Sequence, residues 1–187
     1  MKLSTFSWML AVFAAFMALS VLLQGVNVGH TPWYISRASG LVAFALLSGS
    51  VILGLMLSTK SQSPAIPKAM AFELHQFLAF LGLAFIGIHA GSLLFDGFLH
   101  FTPAGLLVPF ASPYRPMATG AGVIAAWAAA LVTASFWARK RIGYATWRRF
   151  HYLSFGAYVL ALVHGITAGS SGTSPGPQFC SPARWRC

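Results

Sequence analysis

Long apolar runs, broken by short polar or proline-rich stretches, set the pattern of this chain. Five of them approach the length of a membrane span: residues 6–25, 34–58, 71–94, 118–137 and 150–167. About 20 residues cover the ~30 Å of bilayer hydrocarbon at a rise of about 1.5 Å each. Backbone N–H and C=O groups find no water inside lipid, so each run reads as a helix. Neither a strand pattern nor an internal repeat is read between them. The expected fold class is all-α, a multi-pass transmembrane helical bundle with five spans.

The connections hold the turn formers. Residues 60–68 form a Ser/Pro/Gln loop with Pro64 and Pro67, and residues 96–117 contain Pro103, Pro109, Pro113 and Pro116. The apolar part of that second loop, 98–110, is too short and too proline-bounded to span, and is expected to lie in the interface. Residues 1–169 are read as one transmembrane domain, and 170–187 as a flexible Gly/Ser/Pro-rich tail. The first run follows Lys2 and is open to two readings, a retained anchor or a cleaved signal. It is long, and no small-x-small site follows it, which favours the anchor.

Composition sharpens this picture. Of 187 residues, 57% are hydrophobic and 7% charged, against roughly a quarter charged in soluble domains. Such a chain cannot cover a water-soluble globule with polar groups, so lipid is its expected solvent. Twelve Lys and Arg face two acids, Glu73 and Asp96. A balance this basic raises the question of nucleic acid. Here the cations sit in short clusters between apolar runs, so they read as topology and lipid contact, and no nucleic acid partner is expected. With the N-terminus inside, Lys2, Lys60, Lys68, Arg139, Lys140, Arg141, Arg148 and Arg149 lie inside, and Arg37, Arg115, Arg184 and Arg186 outside. That excess favours N-terminus in and C-terminus out. Cys180 and Cys187 then lie outside, as a disulfide or as two free thiols.

Four of the six histidines fall within two spans. His75 and His89 are fourteen residues apart in the third, and His151 and His164 thirteen apart in the fifth. An ionisable side chain in hydrocarbon costs several kcal/mol without a partner, so each is a functional candidate. One helix separates the two spans, so they run parallel and place His75 level with His151, and His89 level with His164. The levels are roughly 20 Å apart along the helix axis. Neutral imidazole is a good ligand for iron, and a six-coordinate haem takes two axial ligands. Two haems b between the third and fifth helices are therefore expected. Fourteen residues return to within about 40° of the starting face, but thirteen land about 140° away. The fifth helix must be overwound, bent or placed so that two of its faces reach haems, and Gly156 offers a place for such an adjustment. His30 and His100 lie in outer connections and read as interfacial or solvated.

At these residues the chain resembles the ferric-reductase-like transmembrane domain family. That family includes the membrane parts of ferric reductases and NADPH oxidases and the haem subunit of the bacterial methionine sulfoxide reductase system. The matching features are Glu73-Leu74-His75, His89, Trp147-Arg148-Arg149-Phe150-His151 and Val163-His164-Gly165, with Trp33-Tyr34-Ile35-Ser36-Arg37-Ala38-Ser39-Gly40 resembling the preceding helix. The resemblance implies that His75 with His151 binds an inner haem and His89 with His164 an outer one. Arg37 matches an arginine near the outer haem, where it meets a propionate or an acceptor; it reads equally as a snorkelling anchor. Arg148 and Arg149 read as topology charges or as partners of inner propionates. Phe80, Phe85 and Phe155 lie between the two levels in sequence, as core or as lining of the gap. Family members usually have a sixth helix, and the oxidases carry a flavin and nicotinamide domain after the last one. No Gly-rich phosphate loop follows residue 169.

Electrons are therefore expected from a separate donor, a flavoprotein or quinol, and are passed to an outer acceptor, a ferric chelate or an exported reductase partner. A bacterial inner membrane is the expected location. The competing reading is a scaffold or assembly subunit of a larger membrane complex, with Gly82, Gly87, Gly91, Gly120 and Gly122 allowing close helix packing. A histidine proton relay is weaker, because Glu73 is the one candidate intramembrane acid.

Overall fold

The computed structural model describes residues 31–59, 66–97 and 100–169. The first apolar run, together with His30, Lys60 and the tail bearing Cys180 and Cys187, lies outside the described residues. Those described are helical, with no strand among them. Helix α1 is Thr31–Thr59, α2 is Lys68–Ser92, and a 3-10 turn, Leu93–Phe95, closes α2. A short α3, Pro103–Leu107, precedes α4, Pro116–Ile142. Then come α5, Tyr144–His151, and α6, Leu153–Ala168.

Four helical stretches are long and apolar enough to cross a membrane: Thr31–Thr59, Lys68–Phe95, Pro116–Ile142 and the combined Tyr144–Ala168. The shortest has 25 residues, about 37 Å of helix, enough for the ~30 Å hydrocarbon core. Only 6% to 28% of their most apolar windows is buried within the chain. Leu41, Leu131 and Ile166 are 71%, 57% and 64% exposed. A surface of this kind is unfavourable in water and neutral in lipid. The described part is that of an integral membrane protein.

Several hydroxyls inside these helices are satisfied by their own helix. The hydroxyls of Ser48, Thr133 and Thr167 donate to the carbonyls of Phe44, Ala129 and Val163, one turn back. Helix ends follow residue chemistry too. Thr102 caps α3 by accepting the Gly105 N–H at 3.1 Å, and Pro103 stands where a missing N–H costs nothing. Gly143, at φ 82°, ends α4 in a conformation that side chains avoid. Arg139, Lys140 and Arg141 occupy the last turn of α4, where the helix dipole favours cations. Arg115 donates to the carbonyls of Thr167, at 2.7 Å, and Gly169, at 3.3 Å. It thereby ties the start of α4 to the end of α6. The apolar loop holds α3, with Leu107, Val108 and Phe110 exposed and Trp127 Nε1 donating to the Leu107 carbonyl; His100 is exposed beside it.

The helices pack as two antiparallel pairs, α1 on α2 and α4 on α6, and the pairs touch each other far less. Gly82 lets α2 approach Leu46 and Leu47 of α1. The fifth expected span, 150–167, differs in two ways. The helix starts earlier, at Tyr144, because Arg148 and Arg149 interrupt hydropathy but not helix propensity. Its break is at Tyr152, not at Gly156, which continues α6. Around Tyr152 the N–H groups of Tyr152 and Phe155 bond three residues back, to Arg149 and Tyr152. Such 3-10 geometry advances about 120° per residue instead of 100°. The overwinding therefore acts in the direction the thirteen-residue spacing requires.

Candidate functional site

Between the two helix pairs runs a cavity of about 1310 Å³, lined by residues of both pairs and by all four span histidines. A single small-molecule site usually occupies about 300–1,000 Å³. One pair contributes His75 and His89 from α2. The other contributes His151 at the end of α5 and His164 from α6. His75 faces His151 with ring centres 6.0 Å apart and planes at 69°. His89 faces His164 at 6.0 Å and 80°. The structure thus brings the four residues together in the two pairs expected from their levels.

Local chemistry fixes three of the four rings. His75 Nδ1 lies 2.8 Å from the Ser50 carbonyl oxygen, and His89 Nδ1 2.8 Å from that of Ser36. His164 Nδ1 lies 2.8 Å from the Ala118 carbonyl oxygen. A carbonyl can only accept, so Nδ1 bears the proton in each ring and Nε2 keeps its lone pair. On α1 the bond is returned. Ser36 Oγ donates to the His89 carbonyl at 3.1 Å, and Ser50 Oγ to that of His75 at 3.2 Å. Each serine and its histidine form a two-way clasp between antiparallel helices. Ser36→Ala or Ser50→Ala is expected to lower stability in detergent by about 0.6 kcal/mol, the average for hydrogen bonds between membrane helices. An unchanged denaturation midpoint in both would mean that the clasp contributes nothing.

His151 differs. Its Nδ1 and the Trp147 Nε1 are both buried without a hydrogen-bond partner, and the two rings lie 5.0 Å apart. Lys68, Tyr144 and Arg148 line the same end of the cavity. At the opposite end stand Trp33, Arg37 and Tyr114, with the Arg37 guanidinium 4.9 Å from the centre of the Trp33 ring. Arg37 follows Ser36 directly, so it lies at the level of His89 and His164.

Phe80 and Phe155 line the cavity, and Phe80 is buried against Trp137 at 5.6 Å. Phe85 is not among the lining residues. Sequence reasoning missed a second aromatic pair at mid-height. Phe44 stacks on Tyr158 at 5.2 Å and 14°, and the Tyr158 hydroxyl lies 3.0 Å from Ser48 Oγ. It also missed a short repetition on α1, where Ser36 and Gly40 recur as Ser50 and Gly54. These are fourteen residues apart, as His75 and His89 are on α2. That matched spacing was the available signal.

Two imidazoles on opposite sides of one metal, each bonded at about 2.0–2.1 Å, put their ring centres about 6 Å apart. Both observed separations meet this value, and each pair can supply two neutral nitrogen ligands. Among the described residues no group of three or more His, Cys, Asp or Glu comes together. Each pair alone thus offers two nitrogen ligands, fewer than a metal site built from protein alone takes. The chain matches no known family model, no curated protein and no solved structure.

Proposed function

We propose that this chain carries electrons across a membrane through two haems b, one held by His75 and His151 and the other by His89 and His164. One observation supports the reading above all: two histidine pairs face each other at 6.0 Å within one apolar cavity. Haem needs only two protein ligands, because the macrocycle supplies the other four, whereas a structural zinc site takes four from the protein. The buried Trp147 Nε1 and His151 Nδ1, with Lys68 and Arg148 lining the same cavity, suit the carboxylates of a bound porphyrin. Arg37 suits the same role at the other end. When bound, haem b supplies reversible one-electron chemistry.

The residues of the chain do the rest. The three carbonyl-anchored histidines present a fixed tautomer and raise ligand basicity through their N–H bonds. Apolar walls exclude water and so contribute to the redox potential. Five spans, with the N-terminus inside a bacterial inner membrane, put the Lys68 end toward a flavoprotein or quinol donor. The Arg37 end then faces an outer acceptor, a ferric chelate or an exported reductase partner. Whether the chain works within a larger complex does not alter this path.

Reconstitution into vesicles tests the path. With a membrane-impermeant reductant outside and ferricyanide enclosed, the purified protein is expected to reduce the enclosed acceptor. His89→Ala is expected to lower that rate at least tenfold. A rate equal to that of protein-free vesicles would leave the scaffold reading instead.

A further inference from the structure

Three glycines stand in one relation to the histidines. Gly40 lies four residues after Ser36, Gly54 four after Ser50 and Gly122 four after Ala118, and these are the residues whose carbonyls accept the histidine N–H. One turn of helix therefore places each glycine beside its acceptor, on the face that the imidazole touches. A Cβ built on Gly122 would come within 2.5 Å of His164 Nδ1, and one on Gly40 within 2.8 Å of His89 Nδ1. On Gly54 the nearest atom is His75 Cε1, at 3.2 Å. Contacts under 3.0 Å are essentially never seen at real Cβ atoms, so at those two positions the ring would have to shift against the carbonyl it bonds. The rings face the cavity, so each can move only by turning away from the glycine and the carbonyl beside it.

We infer that Gly40, Gly54 and Gly122 are positioning residues: each leaves the notch in which an imidazole lies flat enough to bond a carbonyl one turn away and so present Nε2 to a metal. The inference deepens the haem reading and rests on it for the identity of the metal. It assigns a functional cause to small residues that would otherwise read as helix packing. Gly82 shows the contrast, since an added Cβ there meets only Leu47 and Leu46 side chains at ordinary distances of 3.4 Å or more. His151 has no such notch, in keeping with its unpartnered Nδ1.

The test is a set of Gly→Ala substitutions in the full chain, read by haem content and by the low-spin absorption and EPR signals. Alanine is a better helix former than glycine, so any loss must come from the added methyl group. Gly122→Ala and Gly40→Ala are each expected to lower haem content from two per chain to one, with the signal of the His75/His151 site retained. Gly54→Ala, the looser contact, is expected to keep both haems and shift the potential of the His75/His151 site. Gly156→Ala, where an added Cβ meets nothing within 4 Å, is expected to match the unsubstituted protein. Retention of one site separates a positioning effect from failure to fold. Unsubstituted haem content and spectra in both Gly122→Ala and Gly40→Ala would overturn the inference and leave the haem reading intact. If the unsubstituted protein binds no haem, the haem reading falls, and ring ¹⁵N shifts still decide the inference. They should report a protonated Nδ1 on His164 that Gly122→Ala abolishes; a shift unchanged by the substitution would overturn it.

Discussion

His89→Ala is expected to halve the haem content, from two per chain to one. His164 then has no opposing imidazole, and the Ser36 carbonyl loses the N–H it accepts at 2.8 Å. One axial ligand does not hold a low-spin haem in place, so that site should empty. The other site should survive. His75 lies fourteen residues away along α2, about 21 Å of helix, and substitution effects at such separations are normally independent. His164→Ala should give the same result, because it removes the other half of the same pair. The double variant His75→Ala/His89→Ala should bind none. Loss of a bound ligand also removes its stabilisation of the folded state, so the single variants should melt earlier than the parent. Haem quantified per chain in each variant checks this ordering. Two haems retained in both His89→Ala and His164→Ala would contradict the assignment.

An arginine at Leu131 is the second large expected effect, and it concerns the solvent. Leu131 is 57% exposed and stands near the middle of α4. On a water-facing surface such a change shifts stability by about 0.5 kcal/mol or less. At the centre of a membrane span, arginine costs roughly 2.5–3.5 kcal/mol in insertion free energy, about a hundredfold in the insertion equilibrium constant. Met117, 75% exposed in the first turn of α4, supplies the comparison, since an arginine there can snorkel to the interface. Insertion measured by a compartment-specific label should fall sharply for Leu131→Arg and little for Met117→Arg. Equal tolerance at both positions would mean that α4 does not cross the bilayer.

The four helical stretches long enough to span were legible because lipid imposes a length and a composition that ordinary folds do not. The histidine pairs were legible from two nearly equal spacings on spans that must run parallel. The phase conflict of the fifth span was also legible, but its location was not. Gly156 attracted attention as a flexible residue, whereas the overwinding falls at Tyr152, just past the charged Arg148 and Arg149. A hydropathy run starts only after those charges, and so it hid that α5 begins at Tyr144. The anchoring of the histidines was hidden for a different reason. Their acceptors are backbone carbonyls, which every residue has, and so leave no side-chain signature. Only the glycines one turn on betray them, and an isolated glycine in an apolar helix has many uses. The stacked Phe44 and Tyr158 were equally silent, since their contact joins helices far apart in sequence.

The central claim is two haems b between two histidine pairs. It is tested most directly by a reduced-minus-oxidised spectrum with a pyridine haemochrome assay on the detergent-purified chain, expressed with added haem precursor. Two low-spin haems b per chain is the result expected. A protein that purifies folded and colourless would contradict it, and would leave the four histidines as bonds between helices.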